Sequence, residues 1–223
     1  MNYLDSLRNQ AMTCTSCQLA NSRTNVVFGV GDPNADLMFV GEGPGREEDL
    51  AGEPFVGRSG KLLDQLMKQE LALNRSQCYI GNVIKCRPPN NRDPLEEEIA
   101  ACRHFLENQV REIDPLVIVT LGNFATRLLL VTTEGIKKVR GKPYTTDKSG
   151  LGRQPAVPTD MPAHSPAHGR KNHDLEKKAN EEKNAIYYLV PTYHPAAALR
   201  GGATVVAEMR ADFSRAKLLL ERY

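Results

Sequence analysis

Four cysteines have the spacing of a metal centre. Cys14 and Cys17 form a C-x2-C pair, Cys86 opens the stretch CRPPNNRDP, and Cys102 follows on a predicted helix. Five cysteines in a chain without a recognisable export signal argue for reduced thiols or a metal site, and against a disulfide framework. Cys78 begins the apolar stretch CYIGNVI, so we expect it in the core. Cysteine spacing alone leaves zinc and an iron–sulfur cluster both open.

A glycine-rich loop carries an acid and an aromatic residue between a short strand and a helix. The stretch GEGPGREEDLAGEPFVGRSG begins within the apolar run at 37–41 and contains Glu42 and Phe55. A dinucleotide-binding loop would also place glycines here. Pro44 inside a G-x-G-x-G spacing, a helix that begins only near Ser59, and acids that would repel a pyrophosphate all argue against that cofactor. The glycines instead allow the backbone to approach a ligand closely.

The apolar segments predict alternating strands and helices. Strands are predicted at 37–41, 78–84, 116–121 and 187–192, and helices at 4–11, 59–71, 123–131 and 204–223. A further long helix is predicted to begin at Asp93. This alternation predicts a three-layer α/β/α sandwich with a central, mainly parallel four-stranded sheet.

Polar residues near the ends of these strands are the candidates for a functional site. In parallel sheets the ligand lies beyond the carboxyl ends of the strands, where the connecting loops meet. The sequence therefore predicts one site built from Glu42, Phe55, Asn82 and His194.

Length, charge and composition limit the class of protein. The 223 residues suit a single domain over residues 1–223, with a proline-rich, low-complexity insert at about 145–185. A net charge of +2 restricts any nucleic-acid surface to a local patch, for which the bases in KKVRGK and around Cys86 are candidates. No apolar stretch is long enough to span a bilayer and the first residues lack a secretory hydrophobic region, so we expect a soluble, cytoplasmic protein.

Together these motifs resemble those of a known enzyme family. GEGPGREEDLAGEPFVGRSGKLLD, the four-cysteine spacing, NVIKCRPPNNR and PTYHPAAALR are similar to the family-4 uracil-DNA glycosylases, from Cys14 to the C-terminal helix and outside the insert. The resemblance implies the uracil-DNA glycosylase fold and a DNA repair enzyme that flips uracil out of DNA, hydrolyses its N-glycosidic bond and leaves an abasic site. The implied partner is uracil-containing DNA, single- or double-stranded, with no membrane, and we expect a monomer. The resemblance also implies a [4Fe-4S] cluster, favoured over zinc, bound by Cys14, Cys17, Cys86 and Cys102.

The resemblance assigns roles to individual residues. Phe55 is the platform on which the flipped base stacks, and Asn82 reads the uracil edge by accepting from N3–H and donating to O4. His194 donates a hydrogen bond to O2 as negative charge gathers there, and acts as a neutral ring. Glu42 positions the attacking water or balances charge near C1′ of the deoxyribose, and Glu48 is the candidate for rejecting the thymine methyl. The remaining substrate-binding position is Gly43, and the predicted DNA contacts are Lys85, Arg87, Arg140, Leu199 and Arg200.

Two departures from the family pattern bear on DNA contact and on turnover. Family members commonly read H-P-A-A-L-L-R, whereas this chain has Ala198 before Leu199, so the side chain that wedges into the vacated stack is smaller or shifted by one position. The chain has VRGKPY in place of the basic KRRIH-type loop of covalently trapping relatives, which favours turnover. Two other functions stay open on sequence alone: a non-catalytic nucleic-acid-binding module with an iron–sulfur or zinc centre, and a glycosylase that prefers another deaminated base.

Overall fold

The chain folds around one sheet of seven strands. The structure, a computed structural model, describes residues 3–148, 151–159 and 186–222. The strand order in the sheet is β1-β3-β2-β4-β7-β5-β6. In chain order the strands are β1 (Val30–Gly31), β2 (Leu37–Gly41), β3 (Tyr79–Asn82), β4 (Val117–Leu121), β5 (Tyr144–Asp147), β6 (Val157–Pro158) and β7 (Ile186–Thr192).

The four central strands are the four that the sequence predicts. β3, β2, β4 and β7 are adjacent and parallel, so their carboxyl ends lie at one edge of the sheet. Every residue of β2, β3 and β4 is buried, as expected for strands covered by helices on both faces. The register pairs Gly41 with Asn82 and Leu121 with Thr192 at that edge. The α/β prediction with a mainly parallel centre is therefore confirmed.

Three short strands extend the sheet beyond the predicted four. β1 pairs with β3, β5 pairs with β7, and β6 pairs with β5, all antiparallel. β1 and β6 have two residues each, too few to show an alternating pattern in the sequence. β5 and β6 fall inside the stretch predicted as an insert at about 145–185, so part of that stretch belongs to the sheet. Its residues 149–150 and 160–185 lie outside the described residues.

Helices cover both faces of the sheet. α3 continues into a π-helical turn at Met67–Leu71, and α7 is interrupted at Gly202, whose φ is +68°. α4 begins three residues later than predicted, because the Glu98 carboxylate accepts the Leu95 N–H at 2.9 Å and caps the helix there. The helices are α1 (Tyr3–Met12), α2 (Arg46–Ala51), α3 (Arg58–Leu66), α4 (Glu96–Ile113), α5 (Asn123–Leu130), α6 (Ile136–Val139) and α7 (Pro195–Arg222).

The core lies between the sheet and these helices. On one face Phe39 of β2 stacks on Phe213 of α7, with 5.5 Å between ring centroids. α7 also packs against α3 and its π-helical turn. Among the described residues, no helix combines the length and the apolar character that crossing a membrane requires.

Candidate active site

Two glycines at the carboxyl edge of the sheet allow the site to be compact. A Cβ atom on Gly41 would lie 2.4 Å from Asn82 Oδ1 and 2.6 Å from Phe55 Cζ, closer than side chains tolerate. A Cβ atom on Gly122, which follows β4 with a φ of +90°, would lie 3.0 Å from the Cβ atom of His194. Glycine at these two positions therefore brings Asn82, Phe55 and His194 together.

Phe55 forms one wall of the site. Its side chain is buried, and its ring lies 5.6 Å from the His194 ring between centroids, with an angle of 32° between the planes. Its φ is +55°, a left-handed conformation that a bulky residue rarely adopts and that costs about 1 to 3 kcal/mol. The surrounding structure must therefore hold Phe55 in place.

Asn82 presents a buried acceptor to the site. The side chain is 2% exposed, and among the described residues its Oδ1 is the one buried side-chain oxygen or nitrogen without a hydrogen-bond partner. Leaving a buried acceptor unpaired costs about 1 to 3 kcal/mol, a cost that a ligand donor would remove. The position of Asn82 at the end of β3 thus suits it to bind an N–H group.

His194 is a neutral hydrogen-bond donor at physiological pH. Its Nδ1 accepts the Ala196 N–H at 3.2 Å, so the proton of the neutral ring is on Nε2. Burial, and to a smaller extent the charge of Arg200, lower the pKa of His194 to about 4. The ring can therefore donate from Nε2 without carrying a positive charge.

Glu42 and Gly43 follow β2 directly. Burial and, secondarily, the nearby charge of Asp93 raise the pKa of Glu42 to about 7. The main-chain carbonyl of Glu42 accepts the Ile84 N–H at 3.1 Å, which fixes this part of the loop to the segment after β3. A Cβ atom on Gly43 would lie 2.6 Å from Ile84 Cγ1, so glycine is also required here for close packing.

Glu48 fastens the glycine-rich loop to itself. Its Oε2 accepts the Gly45 N–H at 3.1 Å and its Oε1 accepts the Gly57 N–H at 3.5 Å. The carboxylate thus joins the two ends of the stretch that carries Phe55. The structure gives Glu48 this bracing role, and its predicted contact with the base stays a prediction.

Sequence reasoning missed a second brace, formed by Asp49. The residue is 2% exposed, and its Oδ1 accepts the Thr24 and Asn25 N–H groups at 2.9 and 3.2 Å. The Asn25 amide donates back to the Asp49 carbonyl at 2.8 Å. These bonds tie α2 to the segment that follows Cys14 and Cys17, and the acidic run REED gave no sign of such burial.

The predicted DNA contacts separate into exposed and buried residues. Leu199 is 49% exposed and Arg200 is exposed on the second turn of α7, while Ala198 is buried. Leu199, and not the position before it, therefore faces outward. Arg87 donates to Asn91 Oδ1 at 2.6 Å and belongs to the loop between β3 and α4.

Two of the predicted DNA contacts bind acceptors within the protein itself. Lys85 is 1% exposed, and its Nζ donates to the Asn82 carbonyl at 2.8 Å and to Gln109 Oε1 at 2.5 Å. Arg140 donates to both carboxylate oxygens of Asp212 at 3.0 Å and to the Glu208 carbonyl at 2.7 Å. Lys85 is therefore buried away from solvent, whereas Arg140 keeps 13% of its side chain exposed and is held by two acidic residues of α7.

The four predicted ligand cysteines line one small cavity. Arg23 Nη1 donates to Cys86 Sγ at 3.3 Å, and the Lys85 N–H donates to Cys102 Sγ at 3.2 Å. Burial raises the pKa of both thiols, that of Cys102 to about 11. The other lining residues are mostly small or apolar, and the whole set is Ala11, Cys14, Ser16, Cys17, Ala20, Arg23, Lys85, Cys86, Ala101, Cys102 and Phe105.

The donor set of this cavity suits a thiolate-bound group. Four cysteines line one space, and the sulfurs of two of them already accept hydrogen bonds that would stabilise thiolates. Cys78 lies elsewhere, fully buried in the core with its Sγ 3.6 Å from Met67 Sδ, as predicted. As they stand, the described residues contain no group of three or more His, Cys, Asp or Glu side chains that could hold a metal ion, so the four cysteines are candidate ligands by their shared cavity and not by a preformed site.

Comparison with known proteins identifies the family. The chain belongs to the uracil-DNA glycosylase superfamily, whose family model matches residues 28–216. It is similar to the type-4 uracil-DNA glycosylase of Sulfurisphaera tokodaii, with 41% identity over 203 residues that cover 89% of this chain and 77% of that protein. It is 46% identical to the type-4 enzyme of Archaeoglobus fulgidus over 154 residues, covering 67% and 77% of the two chains. Identity to the type-4 enzyme of Thermotoga maritima is also 46%, over 162 residues, covering 72% and 82%.

Proposed function

We propose that the protein is a monofunctional uracil-DNA glycosylase that hydrolyses the N-glycosidic bond of uracil in DNA and leaves an abasic site for base excision repair. The observation that carries the proposal is the unpaired, buried Asn82 Oδ1 beside the Phe55 ring. A flipped pyrimidine with an N–H at its edge would pair with that oxygen while its face stacks on the ring. The type-4 relatives, at 41 to 46% identity, support the same reaction.

Base recognition rests on the pattern of donors and acceptors. Uracil offers an N3–H donor and an O4 acceptor, which an asparagine amide can meet with its oxygen and its NH2 group. Cytosine presents the opposite pattern at these two positions, so it would leave the buried Asn82 amide facing like groups. Asn82, held by the sheet at the end of β3, thus selects uracil over cytosine.

Bond cleavage places negative charge on the departing base. His194 Nε2–H donates to uracil O2, and this bond strengthens as the charge develops on the base. A neutral ring can do this, because its Nε2–H is already oriented toward the oxygen on which the negative charge develops. Burial of His194 maintains the neutral form.

Glu42 acts on the sugar side of the bond. An oxocarbenium-like sugar needs a nearby negative charge and an oriented water molecule. Glu42, in its ionised form, orients that water or balances the positive charge at C1′. Gly43 and Glu48 belong to the same loop, where Gly43 allows close approach and Glu48 limits the space at the C5 edge of the base.

The four cysteines of the cavity are the ligands of a [4Fe-4S] cluster in this proposal. A bound cluster would have a structural role, as a cross-link between segments of the chain, and would take no part in hydrolysis of the N-glycosidic bond. Cys14 and Cys17 belong to the N-terminal segment, Cys86 to the loop after β3 and Cys102 to α4, so a bound group would fasten three parts of the chain. That loop also carries Arg87, which we place against the DNA backbone.

Contact with DNA is proposed for the exposed residues at the mouth of the site. Leu199 enters the stack where the base has left, and Arg200 and Arg87 bind phosphates. The protein acts as a monomer on single- or double-stranded DNA.

One assay tests the proposal directly. Purified protein is incubated with oligonucleotides that carry a single uracil, thymine, hypoxanthine or xanthine, and abasic sites are detected by strand cleavage in alkali. We expect abasic sites with uracil. Release of hypoxanthine or xanthine but not uracil would assign a different base, and no release from any substrate would leave only a binding module.

A matched pair of variants tests the recognition step. Asn82→Asp replaces a donor with an acceptor, so uracil release should fall by at least about 10- to 100-fold, the scale of an inverted buried hydrogen bond. Asn108→Asp makes the same change on α4, where Asn108 pairs with Tyr3, and should leave the rate unchanged. Full activity in Asn82→Asp would move base recognition to another residue.

A further inference from the structure

The stacking wall of the site depends on a strained backbone conformation. Phe55 has a φ of +55°, and an aromatic residue relaxes from this region unless its neighbours prevent it. A relaxed Phe55 would turn its ring away from the His194 ring, which now lies 5.6 Å away. Some contact outside the loop must therefore fix the Phe55 main chain.

Arg75 makes that contact. It lies on the short helical turn Arg75–Gln77 that precedes β3. Its Nη1 donates to the Phe55 carbonyl at 3.1 Å and its Nη2 donates to the Pro54 carbonyl at 2.6 Å. The planar guanidinium thus binds two successive carbonyls with two parallel donors, a geometry that specifies the orientation of the peptide between them.

The guanidinium is itself fixed. Nη1 also pairs with Asp64 Oδ1 of α3 at 3.0 Å, and the Arg75 side chain is 28% exposed. The contact is too exposed to act mainly as a core interaction, so removal of Arg75 should leave the fold intact.

The first turn of α3 closes the other side of the Phe55 carbonyl. A Cβ atom on Gly60 would lie 1.6 Å from the Phe55 oxygen, so the helix and the carbonyl are in direct contact. The carbonyl is held between the Gly60 backbone and the Arg75 guanidinium. These two contacts restrict the orientation of the Phe55 peptide.

We infer that Arg75 is a positioning residue for base stacking: it holds Phe55 in the orientation that accepts the flipped base. The inference rests on the proposed function. Arg75 acts through Phe55 and does not itself contact the base, so its effect should be absent when the Phe55 ring is absent.

A double-mutant cycle measures this dependence. Arg75→Met removes both donors and keeps the length of the side chain. We expect it to slow single-turnover uracil release about tenfold. A misplacement of about 1 Å in a reacting group costs about 10²-fold in rate, and the shift of the Phe55 ring should be smaller than that. In the Phe55→Ala background, Arg75→Met should cause no further loss. Release of 5-fluorouracil should fall by the same factor, because stacking serves both bases.

Two further variants control for stability and charge. Arg210→Met removes another partly exposed ion pair, to Glu70 at 3.3 Å, and should leave the rate unchanged. Arg75→Lys keeps the charge but offers a single donor group, so its rate should lie between those of the parent protein and Arg75→Met. Circular dichroism and thermal unfolding establish whether each variant folds. If Arg75→Met does not fold, the double-mutant cycle is measured with Arg75→Lys instead.

The outcomes are distinct from those for the proposed function. If the parent protein releases no uracil, the proposed function fails first. If the parent is active, equal losses from Arg75→Met with and without Phe55 would overturn the inference, because Arg75 would then act by another route. An Arg75→Met protein with the parent rate would overturn it as well.

Discussion

The base pocket lies at one end of the segment 82–86 and the cysteine cavity at the other. The two sites differ in whether their polar atoms already have hydrogen-bond partners in the protein. In the pocket, Asn82 Oδ1 is buried and has no hydrogen-bond partner among the residues that the structure describes, and the His194 Nδ1 accepts a main-chain N–H, which leaves Nε2–H free to donate to a ligand. In the cavity, Cys86 and Cys102 already accept hydrogen bonds from Arg23 and Lys85. Polar groups that bind a transient ligand must be unpaired when the ligand is absent, whereas groups that hold a permanent ligand can also be hydrogen-bonded to the rest of the protein.

Lys85 connects the two regions. Its ammonium group donates to the Asn82 carbonyl, and its main-chain N–H donates to Cys102 Sγ. Gln109 completes the link, since it accepts from Lys85 and donates to the Phe28 carbonyl at 2.8 Å and to the Tyr79 hydroxyl at 3.0 Å. A disturbance of the cysteine cavity should therefore reach Asn82, the residue that we propose reads the base.

Loss of the pocket donor should give the largest effect on the rate. His194→Ala removes the group that we propose stabilises the departing uracil anion, so single-turnover uracil release should fall by about 10²-fold or more. DNA binding, measured by fluorescence anisotropy, should stay nearly unchanged because phosphate contacts dominate affinity. A base that leaves more easily, such as 5-fluorouracil, needs less stabilisation and should lose less.

The comparison of the two bases decides the role of His194. An equal loss on uracil and 5-fluorouracil would mean that His194 only shapes the pocket. His104→Ala is the matched control, because His104 is exposed on α4, and it should keep the parent rate on both substrates.

Mutation of a cysteine in the cavity should affect cofactor content and solubility. If four thiolates hold an iron–sulfur cluster, the purified protein is brown, and Cys86→Ala should lose the colour, the iron and much of the solubility. Cys78→Ser, outside the cavity, should keep the colour. Metal and sulfide analysis provides the measurement, and colourless, zinc-loaded parent protein with full activity would contradict the prediction.

The buried strands, and the positions of Asn82 and His194 beside them, could be predicted because each depends on a short stretch of sequence. LMFVG and LVIVTL are uninterrupted apolar runs, as strands covered on both faces require, and Asn82 and His194 lie close to such runs. The burial of the charged residues and their partners could not be predicted in this way. A lysine beside a cysteine is usually exposed, and the burial of Lys85 depends on Gln109, 24 residues further along the chain.

The same limit applies to Arg140 and to Arg75. The partner of Arg140 is Asp212, 72 residues away, and Arg75 binds carbonyls 20 and 21 residues before it. Such pairings arise only when distant segments pack together. A local pattern of charges shows neither the partner nor the burial.

The pH dependence of the pocket should follow Glu42 and not His194. Burial disfavours the Glu42 carboxylate and raises its pKa to about 7, so at lower pH the free enzyme holds Glu42 protonated, which is the inactive form under the proposed role. We expect kcat/KM to rise about tenfold per pH unit up to about pH 7 and then to level off. His194, with a pKa lowered to about 4, stays neutral over this range and adds no second transition.

Two variants identify the group behind this transition. Glu42→Gln should give a slow, pH-independent rate. Asp93→Asn removes a negative charge that raises the Glu42 pKa, so it should move the midpoint to lower pH. A transition that persists in Glu42→Gln would assign it to another residue.

The smallest effect is expected for Leu199, which we place at the mouth of the pocket. Leu199 is 49% exposed and is followed closely by the break in α7 at Gly202, so it projects from a short first segment of the helix. A duplex has a stack to be filled after the base leaves, and a single strand does not. Leu199→Ala should therefore slow uracil release from duplex DNA by about three- to tenfold, the worth of a partly buried leucine side chain, and leave release from single-stranded DNA unchanged. Leu218→Ala, which removes a similarly exposed leucine from the other end of α7, should change neither rate. Equal losses on both substrates in Leu199→Ala would show that this side chain supports the pocket and does not act as a wedge.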